Sequence, residues 1–165
     1  MFFLLNAILD LNQTRRGESP TLSIIYATIS GHNLELADYL QEQVASWPLA
    51  VITADAAVAE LPTGPLFFCP ATYGAGELTD DGDLFLTDLT SSPLNGQPFW
   101  VVGIGDQCYG DDFGAAVLHA DQVLRAAGGN QLAAPMIIDY ELDDLAKDTL
   151  KKPLAQIKET LLDKP

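Results

Sequence analysis

The chain has 165 residues, of which 48% are hydrophobic. This is enough for one domain with a single sizeable core, and it excludes an intrinsically disordered protein. Eight Lys and Arg residues against 23 Asp and Glu residues give a formal net charge of −15, which argues against binding the phosphate backbone of a nucleic acid and suits either solubility alone or attraction of a basic partner.

The first twenty residues read MFFLLNAILDLNQTRRGESP, and they fit neither a signal peptide nor a membrane-spanning helix. No basic region precedes the apolar run, and Asn6 and Asp10 interrupt it. We therefore expect residues 1–20 to be an extension of unknown use, either a short surface helix or an over-called start. The remaining residues, 21–165, are expected to form one domain without contact to a membrane.

Two cysteines, Cys69 and Cys108, lie far apart in the sequence. Neither a disulfide framework nor a zinc site can be built from them, so we expect a cytoplasmic protein with free thiols. Cys108 has acidic neighbours, which disfavour a reactive thiolate. The acidic run DYELDDLAKD is expected to open the last helix, where acidic residues are favoured, and to bind no metal.

Five short runs of apolar, β-branched or aromatic residues predict strands that are buried on both faces. They are Leu22–Tyr26, Leu49–Thr53, Leu66–Cys69, Phe99–Ile104 and Pro135–Asp139. A helical pattern follows each run. A strand followed by a helix five times over predicts an α/β fold, in which helices cover both faces of a parallel sheet. Such sheets bind ligands at the carboxyl ends of their strands.

The five helical patterns differ in strength. The first has one apolar face, formed by Leu36, Ala37, Leu40, Val44 and Trp47. The second is the short Ala-rich segment ADAAVAEL, which ends before Pro62, and the third is GDLFLTDL. The fourth, which stops at Gly128 and Gly129, has an apolar stripe of Ala116, Ala120, Val123, Leu124 and Ala127. Pro153 is expected to kink or restart the last helix, whose apolar residues are Leu142, Leu145, Ala146 and Leu150.

The loop after the first strand is rich in small polar residues. Thr28, Ser30 and Asn33 offer side-chain donors, Gly31 permits close approach, and the following helix adds backbone N–H groups at its positive end. These features predict a phosphate cradle that lacks the lysine of a nucleotide-triphosphate P-loop. The alternative is that Ser30 or Asn33 only caps the helix, and this loop alone does not separate the two interpretations.

Two further loops, after the third and fourth strands, each present a tyrosine among glycines. In ATYGAGE, Tyr73 stands beside Gly74 and Gly76, and in GIGDQCYGDDFG the tyrosine is Tyr109. An ordinary turn is the alternative for each loop, with Tyr73 packed inward in the first. Both loops lie at the same sheet edge as the phosphate cradle, so together they predict a flat aromatic ligand with a phosphate tail.

From about Leu22 to Lys158 the sequence resembles the flavodoxins, in particular the short MioC-like branch. The matching stretches are ATISGHN, ATYGAGELTDD and, most specifically, GIGDQCYGDDFGAAVLHADQVLRAAGG. The resemblance implies a doubly wound five-stranded parallel sheet in the order 2-1-3-4-5, which binds FMN non-covalently and shuttles electrons. His32 and Asn33 stand where the family more usually has Asn and Thr, which predicts weaker phosphate binding. His32 is either a solvent-facing residue or an extra cation for the phosphate.

The resemblance also implies roles for individual residues. Tyr73 would lie against one face of the isoalloxazine ring and Tyr109 would stack on the other, while Gly105 and Asp106 would line its pyrimidine side. Gly74 matches the glycine whose peptide reorients when the flavin is reduced. The expected FMN-binding residues are Thr28, Ile29, Ser30, Gly31, His32, Asn33, Thr72, Tyr73, Gly74, Ala75, Gly76, Gly105, Asp106, Cys108, Tyr109 and Phe113.

The implied function is that of a low-potential electron carrier, which passes single electrons between a reductase and a redox enzyme and does not itself convert a substrate. Basic redox partners would dock on acidic residues near the flavin, namely Asp80, Asp81, Asp83, Asp111 and Asp112. We expect a monomer that binds neither nucleic acid nor membrane. Two alternatives remain, a flavodoxin-fold interaction module that does not bind FMN and an FMN-dependent reductase of small molecules.

Overall fold

The structure, a computed structural model, describes residues 20–105, 110 and 112–162 of the chain. Its strands are β1 (Thr21–Tyr26), β2 (Ala50–Asp55), β3 (Leu66–Cys69), β4 (Thr72–Tyr73), β5 (Glu77–Leu78), β6 (Pro98–Gly105), β7 (Asn130–Gln131) and β8 (Met136–Asp139). The helices within these residues are α1 (His32–Val44), α2 (Asp80–Leu89), α3 (Ala115–Ala126) and α4 (Asp144–Leu162). The expected extension, residues 1–20, lies outside the described residues except for Pro20.

The central sheet is parallel and runs in the order β2, β1, β3, β6, with β7 and β8 together in the fifth position. Tyr26 of β1 lies opposite both Asp55 of β2 and Cys69 of β3, and Phe68 of β3 lies opposite Val101 of β6. Parallel strands end at one edge of a sheet, so the loops after β1, β3 and β6 emerge side by side. The predicted fold class and strand order are confirmed.

The fifth strand position is divided between two short segments. β7 pairs with the start of β6, and β8 pairs with its end. Residues 132–135 separate the two segments, and the Trp100 indole N–H donates to the Ala134 carbonyl there at 2.9 Å. The sequence predicted only the second segment, because β7 consists of two exposed polar residues and carries no apolar signal.

Helices cover both faces of the sheet. On one face α1 and α4 pack over a cluster that includes Leu40, Trp100 and Ile157, and on the other α2 and α3 pack over a cluster that includes Phe85 and Leu124. The apolar face predicted for the first helix is confirmed as buried. Burial of each such side chain stabilises the folded state by roughly 1.5–3 kcal/mol. Both helical layers therefore stabilise the sheet and fix the position of its edge.

The helix predicted after β2, over ADAAVAEL, is wrong. β2 continues to Asp55, whose Oδ1 then accepts a hydrogen bond from the Ala57 N–H at 2.9 Å. The Ala56 N–H donates to the Tyr26 carbonyl at 2.8 Å and so stays with the sheet. Too few residues remain before Pro62 to nucleate a helix. The connection from β2 to β3 therefore breaks the expected alternation of strand and helix.

The last helix runs through Pro153 without a restart. Asp143 Oδ1 accepts a hydrogen bond from the Ala146 N–H at 2.8 Å, so the acidic run opens this helix as expected. Leu150 is buried, but Leu145 is exposed and does not belong to the apolar face. Five residues of α-helix turn through roughly 500°, which places Leu145 about 140° away from Leu150. None of the described helices is both long and apolar enough to cross a membrane.

Candidate functional site

A cavity of about 530 Å³ opens at the edge where β1, β3 and β6 end. The three predicted loops line it together with the segment after β8. Its lining residues are Thr28, Ile29, Ser30, His32, Asn33, Ala71, Thr72, Tyr73, Gly74, Ile104, Gly105, Asp112, Phe113, Gly114 and Tyr140. Ten of them are residues that the sequence predicted for the site, so the fold brings the three loops around one space.

The loop after β1 forms the polar end of the cavity. Thr28 Oγ1 accepts a hydrogen bond from the Gly31 N–H at 2.8 Å, which folds the loop and leaves the hydroxyl proton of Thr28 to be donated elsewhere. Ser30 is exposed and lines the same space. Two hydroxyl groups and a tight turn therefore meet at the start of α1.

Helix α1 begins here without a side-chain cap. Gly31 is the N-cap residue, with a φ of 88°, and the described residues supply no side-chain cap hydrogen bond. Hydrogen bonding within the helix starts with the Glu35 N–H, which donates to the Gly31 carbonyl at 3.0 Å, so the N–H groups of residues 32–34 have no partner in the helix. The alternative in which Ser30 or Asn33 caps the helix is wrong. These N–H groups and the positive helix end are left for an anion.

Asn33 joins the cradle to the sheet. It is 3% exposed, and its Oδ1 accepts a hydrogen bond from the Ile104 N–H of β6 at 3.0 Å. Gly103 permits the close packing beside this bond, because a Cβ there would lie 2.6 Å from the Pro70 carbonyl oxygen. The oxygen of Asn33 thus fixes the position of the first helical turn, and the binding of phosphate by its amide group stays a prediction.

The loop after β3 is a small hairpin that the sequence did not indicate. β4 and β5 pair antiparallel with Tyr73 opposite Glu77, and the Gly76 N–H donates to the Tyr73 carbonyl at 3.1 Å. Gly74 and Gly76 have φ values of 52° and 92°, which glycine adopts without strain. Tyr73 is 58% exposed at the rim of the cavity. The alternative with this ring packed inward is wrong.

A buried hydroxyl group stands at the base of this hairpin. Thr72 Oγ1 is shielded from solvent and makes no hydrogen bond within the described residues, although Thr72 lines the cavity. Leaving a buried hydroxyl unpaired costs about 1–3 kcal/mol. A polar group of a bound molecule would remove that cost.

The loop after β6 forms a third wall. A Cβ on Gly105 would lie 2.9 Å from the Gly114 nitrogen, so only glycine fits there, and the half-buried Phe113 lines the space beside it. Three expected site residues lie outside the described residues: Asp106, Cys108 and Tyr109. Three others belong to the loops but not to the cavity wall: Gly31, Ala75 and Gly76. A second aromatic face for the ligand stays a prediction.

Sequence reasoning missed Tyr140, which follows β8 directly and lines the cavity. Its φ is 65°, an uncommon conformation for a residue with a side chain. Its N–H donates to the Gly105 carbonyl at 2.6 Å, and its ring meets the His32 ring at an angle of 65°, with centroids 6.0 Å apart. A tyrosine at the end of the fifth strand was the available signal. The other lining residues missed are Ala71, Ile104, Asp112 and Gly114.

The cavity and its surroundings carry more negative than positive charge. Among the lining residues within the described parts of the chain, His32 is the only one that can become a cation, whereas Asp112 is an acid. On the side of the hairpin, three acidic residues, Glu77, Asp80 and Asp83, line a second hollow of about 450 Å³ together with His119. The binding of a phosphate in the first cavity would therefore depend mainly on hydrogen bonds from backbone N–H groups and hydroxyl groups.

These features fit FMN. The uncapped start of α1 with Thr28 and Ser30 suits a phosphate, and the exposed ring of Tyr73 suits a flat aromatic system. Thr72, which lines the cavity beside Tyr73, carries a buried hydroxyl without a partner among the described residues. Ligand cavities typically measure about 300–1,000 Å³, and this one lies within that range.

Comparisons with solved structures agree with this arrangement. A short-chain flavodoxin associated with a bacterial microcompartment superposes with a TM-score of 0.79 at 27% identity, over 86% of this chain and 98% of that one. The flavodoxin of Streptococcus pneumonia TIGR4 superposes with a TM-score of 0.76 at 24% identity, over 86% of this chain and 99% of that one. Both have the fold described above.

Among curated proteins, the chain is 27% identical over 164 residues to the NADPH–cytochrome P450 reductase of Candida maltosa. This match covers 93% of the chain but only 23% of the reductase, so the chain spans less than a quarter of that relative's length. A family model described as flavodoxin matches residues 24–156. The narrower MioC-like assignment stays a prediction. The chain belongs to the flavodoxin family, whose cofactor is FMN and whose members transfer electrons.

Proposed function

We propose that the chain is a low-potential carrier that passes single electrons between a reductase and a redox enzyme. The observation that carries this proposal is the cavity, which joins an uncapped helix start to an exposed aromatic ring at one sheet edge. Membership of the flavodoxin family supports the cofactor and the class of chemistry.

The loop after β1 would bind the phosphate of FMN. The N–H groups of residues 32–34 and the hydroxyl groups of Thr28 and Ser30 would donate to it, while Asn33 holds the turn against β6. No lysine is needed, because the positive end of α1 stabilises the anion. The backbone of Ile29 and the close approach allowed by Gly31 complete this end of the site.

The ring of FMN would lie toward the hairpin and the loop after β6. When bound, FMN supplies the redox chemistry by taking up and releasing electrons singly. Tyr73 would cover one face and exclude water, and Thr72 would gain a hydrogen-bond partner. The negative charge of Asp112 on the cavity wall raises the free energy of adding an electron there, which supports a low reduction potential.

Partner docking would use an acidic face beside the hairpin. Asp80, Asp81 and Asp83 form the first turn of α2 and are exposed, and two of them share a hollow with Glu77 of the hairpin. Tyr73 belongs to the same hairpin, so a basic partner on this face would approach the flavin edge. Such encounters are weak and salt-sensitive. Asp111, also expected on this face, lies outside the described residues.

We propose that the chain acts as a carrier and not as an enzyme by itself, and that it does so as a cytoplasmic monomer. The similarity to one part of a much longer reductase supports a role in relaying electrons. Two well-separated cysteines support a reducing compartment. A small-molecule reductase would instead turn over a quinone with no second protein, and an assay with the purified chain separates the two.

The first test is the visible absorption spectrum of the purified chain, with FMN added if the protein is colourless. We expect the bands of oxidised flavin to stay with the protein through gel filtration. Tyr73→Ala is expected to weaken FMN binding about tenfold, Tyr73→Phe to leave it nearly unchanged, and Tyr109→Ala to weaken it as well. A protein that holds no flavin in excess FMN would refute the carrier proposal.

A further inference from the structure

His32 stands at the entrance of the phosphate cradle. It is the first residue of α1, directly after the N-cap Gly31, and it is half-buried in the cavity wall. Neither Lys nor Arg lines the described part of this cavity, so His32 is the side chain there that can bring positive charge to an anion. Imidazole gains and loses its charge between about pH 5 and 8.

The Tyr140 ring packs against the His32 ring in the cavity wall. The two ring centroids are 6.0 Å apart with an angle of 65° between the ring planes, an edge-to-face arrangement that limits how the imidazole can turn. Tyr140 is itself fixed, since its N–H donates to the Gly105 carbonyl at 2.6 Å and its backbone keeps a φ of 65°. Non-glycine residues in this conformation cost free energy and cluster at functional sites.

Several acidic residues stand on the elements around His32. They are Glu35 on α1, Asp112 before α3, and Asp139 and Glu141 on either side of Tyr140. Within the described residues His32 forms no ion pair, and the ion pairs found there, Arg125 with Asp121 and Lys151 with Asp148, both lie on other elements. A phosphate at the start of α1 would thus meet an imidazole that no carboxylate of the described residues engages.

Building on the proposed function, we propose that His32, positioned by Tyr140, binds the phosphate of FMN as a cation. This role makes the affinity for FMN depend on pH and makes the chain bind FMN in preference to riboflavin. Bound phosphate stabilises the charged imidazole. The extra affinity is therefore fully present on the acid side, where the imidazole is charged, and is lost as the pH rises and the imidazole becomes neutral. Riboflavin lacks the phosphate and gains nothing from this charge.

The test is a fluorescence titration of the apoprotein with FMN and with riboflavin at about pH 6.5 and about pH 8.5, between which imidazole loses its charge. FMN phosphate is mostly dianionic at both values, because its second pKa is about 6. We expect His32→Gln to weaken FMN binding about fivefold at the lower pH and little at the higher one. Riboflavin binding is expected to stay unchanged at both.

Two further variants separate charge from packing. His32→Arg stays charged at both pH values, so FMN affinity should no longer fall at the higher pH. Tyr140→Gly removes the ring but keeps a residue that accepts the positive φ, and it should reduce the difference between the FMN affinities measured at the two pH values.

The outcomes are distinct. An equal effect of His32→Gln at both pH values, an equal effect on riboflavin, or no effect at all would overturn the role of His32. If Tyr140→Gly keeps the full pH dependence, the positioning role of Tyr140 is wrong. Absence of FMN binding by the wild-type chain itself would overturn the proposed function, and this inference with it.

Discussion

Asn33 Oδ1 accepts a hydrogen bond from the Ile104 N–H at 3.0 Å, with both residues buried. The bond joins the first turn of α1 to the end of β6, and so joins the phosphate cradle to the strand that carries the ring side of the cavity. Both residues line the cavity, so the spacing of the two halves of the site depends on this bond.

Asn33→Ala is expected to reduce the free energy of unfolding by about 1–3 kcal/mol, because the buried Ile104 N–H would lose its acceptor. Urea denaturation measures this change. Asn130→Ala is the matched control, as Asn130 is exposed on β7, and it should change stability by less than about 0.5 kcal/mol. Equal effects of the two variants would contradict the structural role of Asn33. FMN binding should weaken only in Asn33→Ala.

Asp121 is a buried carboxylate that connects α3 to β7. Its two oxygens accept hydrogen bonds from Arg125 Nε at 2.8 Å and Gln131 Nε2 at 2.7 Å, and its side chain is 2% exposed. Asp121→Ala is expected to lower stability by about 1–3 kcal/mol, because two hydrogen bonds to a charged group are lost, although both donors are exposed and can bond to water instead. Asp148→Ala is the control, since Asp148 and Lys151 are both 71% exposed. Such a surface pair contributes about 0–1 kcal/mol, and a comparable loss in both variants would argue against this account.

Gly74 and Gly76 should differ in their tolerance of a side chain. At Gly74 a Cβ would approach only Glu77 Oε2, at 3.8 Å, so Gly74→Ala meets backbone strain alone, roughly 1–2 kcal/mol. At Gly76 a Cβ would also lie 2.8 Å from Ala115 Cβ on α3. We therefore expect Gly76→Ala to lower the thermal unfolding midpoint further than Gly74→Ala, and to displace the hairpin and weaken FMN binding. The reverse ranking would show that the packing of the hairpin against α3 is different in solution.

The burial of the Cys69 thiol predicts that the free energy of unfolding depends on pH. Cys69 is a free thiol in the core, fully buried, and burial raises the pKa of this thiol. In the unfolded chain a cysteine ionises near about pH 8.5. The contribution of Cys69 is thus fully present below that pH and is lost as the pH rises, with a slope of up to about 1.4 kcal/mol per pH unit.

The measurement is urea denaturation between about pH 7.5 and about pH 9.5, in a Cys108→Ser background. The upper limit stays below about pH 10, where unfolded tyrosine is half ionised. Tyr26 would otherwise add to the slope, because burial and then Asp55 and Asp38 raise its pKa. Replacing Cys69 by Ala should remove the slope. If the slope of unfolding free energy against pH is unchanged in that variant, another titrating group causes it.

The sheet could be predicted from the sequence because its strands are buried on both faces. Continuous apolar runs such as Leu66–Cys69 have no other stable location in a chain of this size, and the observed β3 has the same bounds. The apolar stripe of α1 could be predicted because it is the face that the helix buries against the sheet. The second predicted helix was wrong because the Asp55 side chain bonds to the Ala57 N–H and the Ala56 N–H bonds to Tyr26 of the neighbouring strand. Neither bond leaves a mark in hydrophobic periodicity.

The sequence by itself determined which loops meet, because parallel strands deliver their carboxyl ends to one edge. It also indicated the small polar residues from Thr28 to Asn33 and the exposed ring of Tyr73. Only the tertiary structure decided that Gly31 leaves the start of α1 uncapped, that Asn33 bonds to Ile104, and that Tyr140 meets His32. Local patterns report which residues are buried, whereas these pairings depend on segments that are distant in the chain and become neighbours only after the sheet has formed.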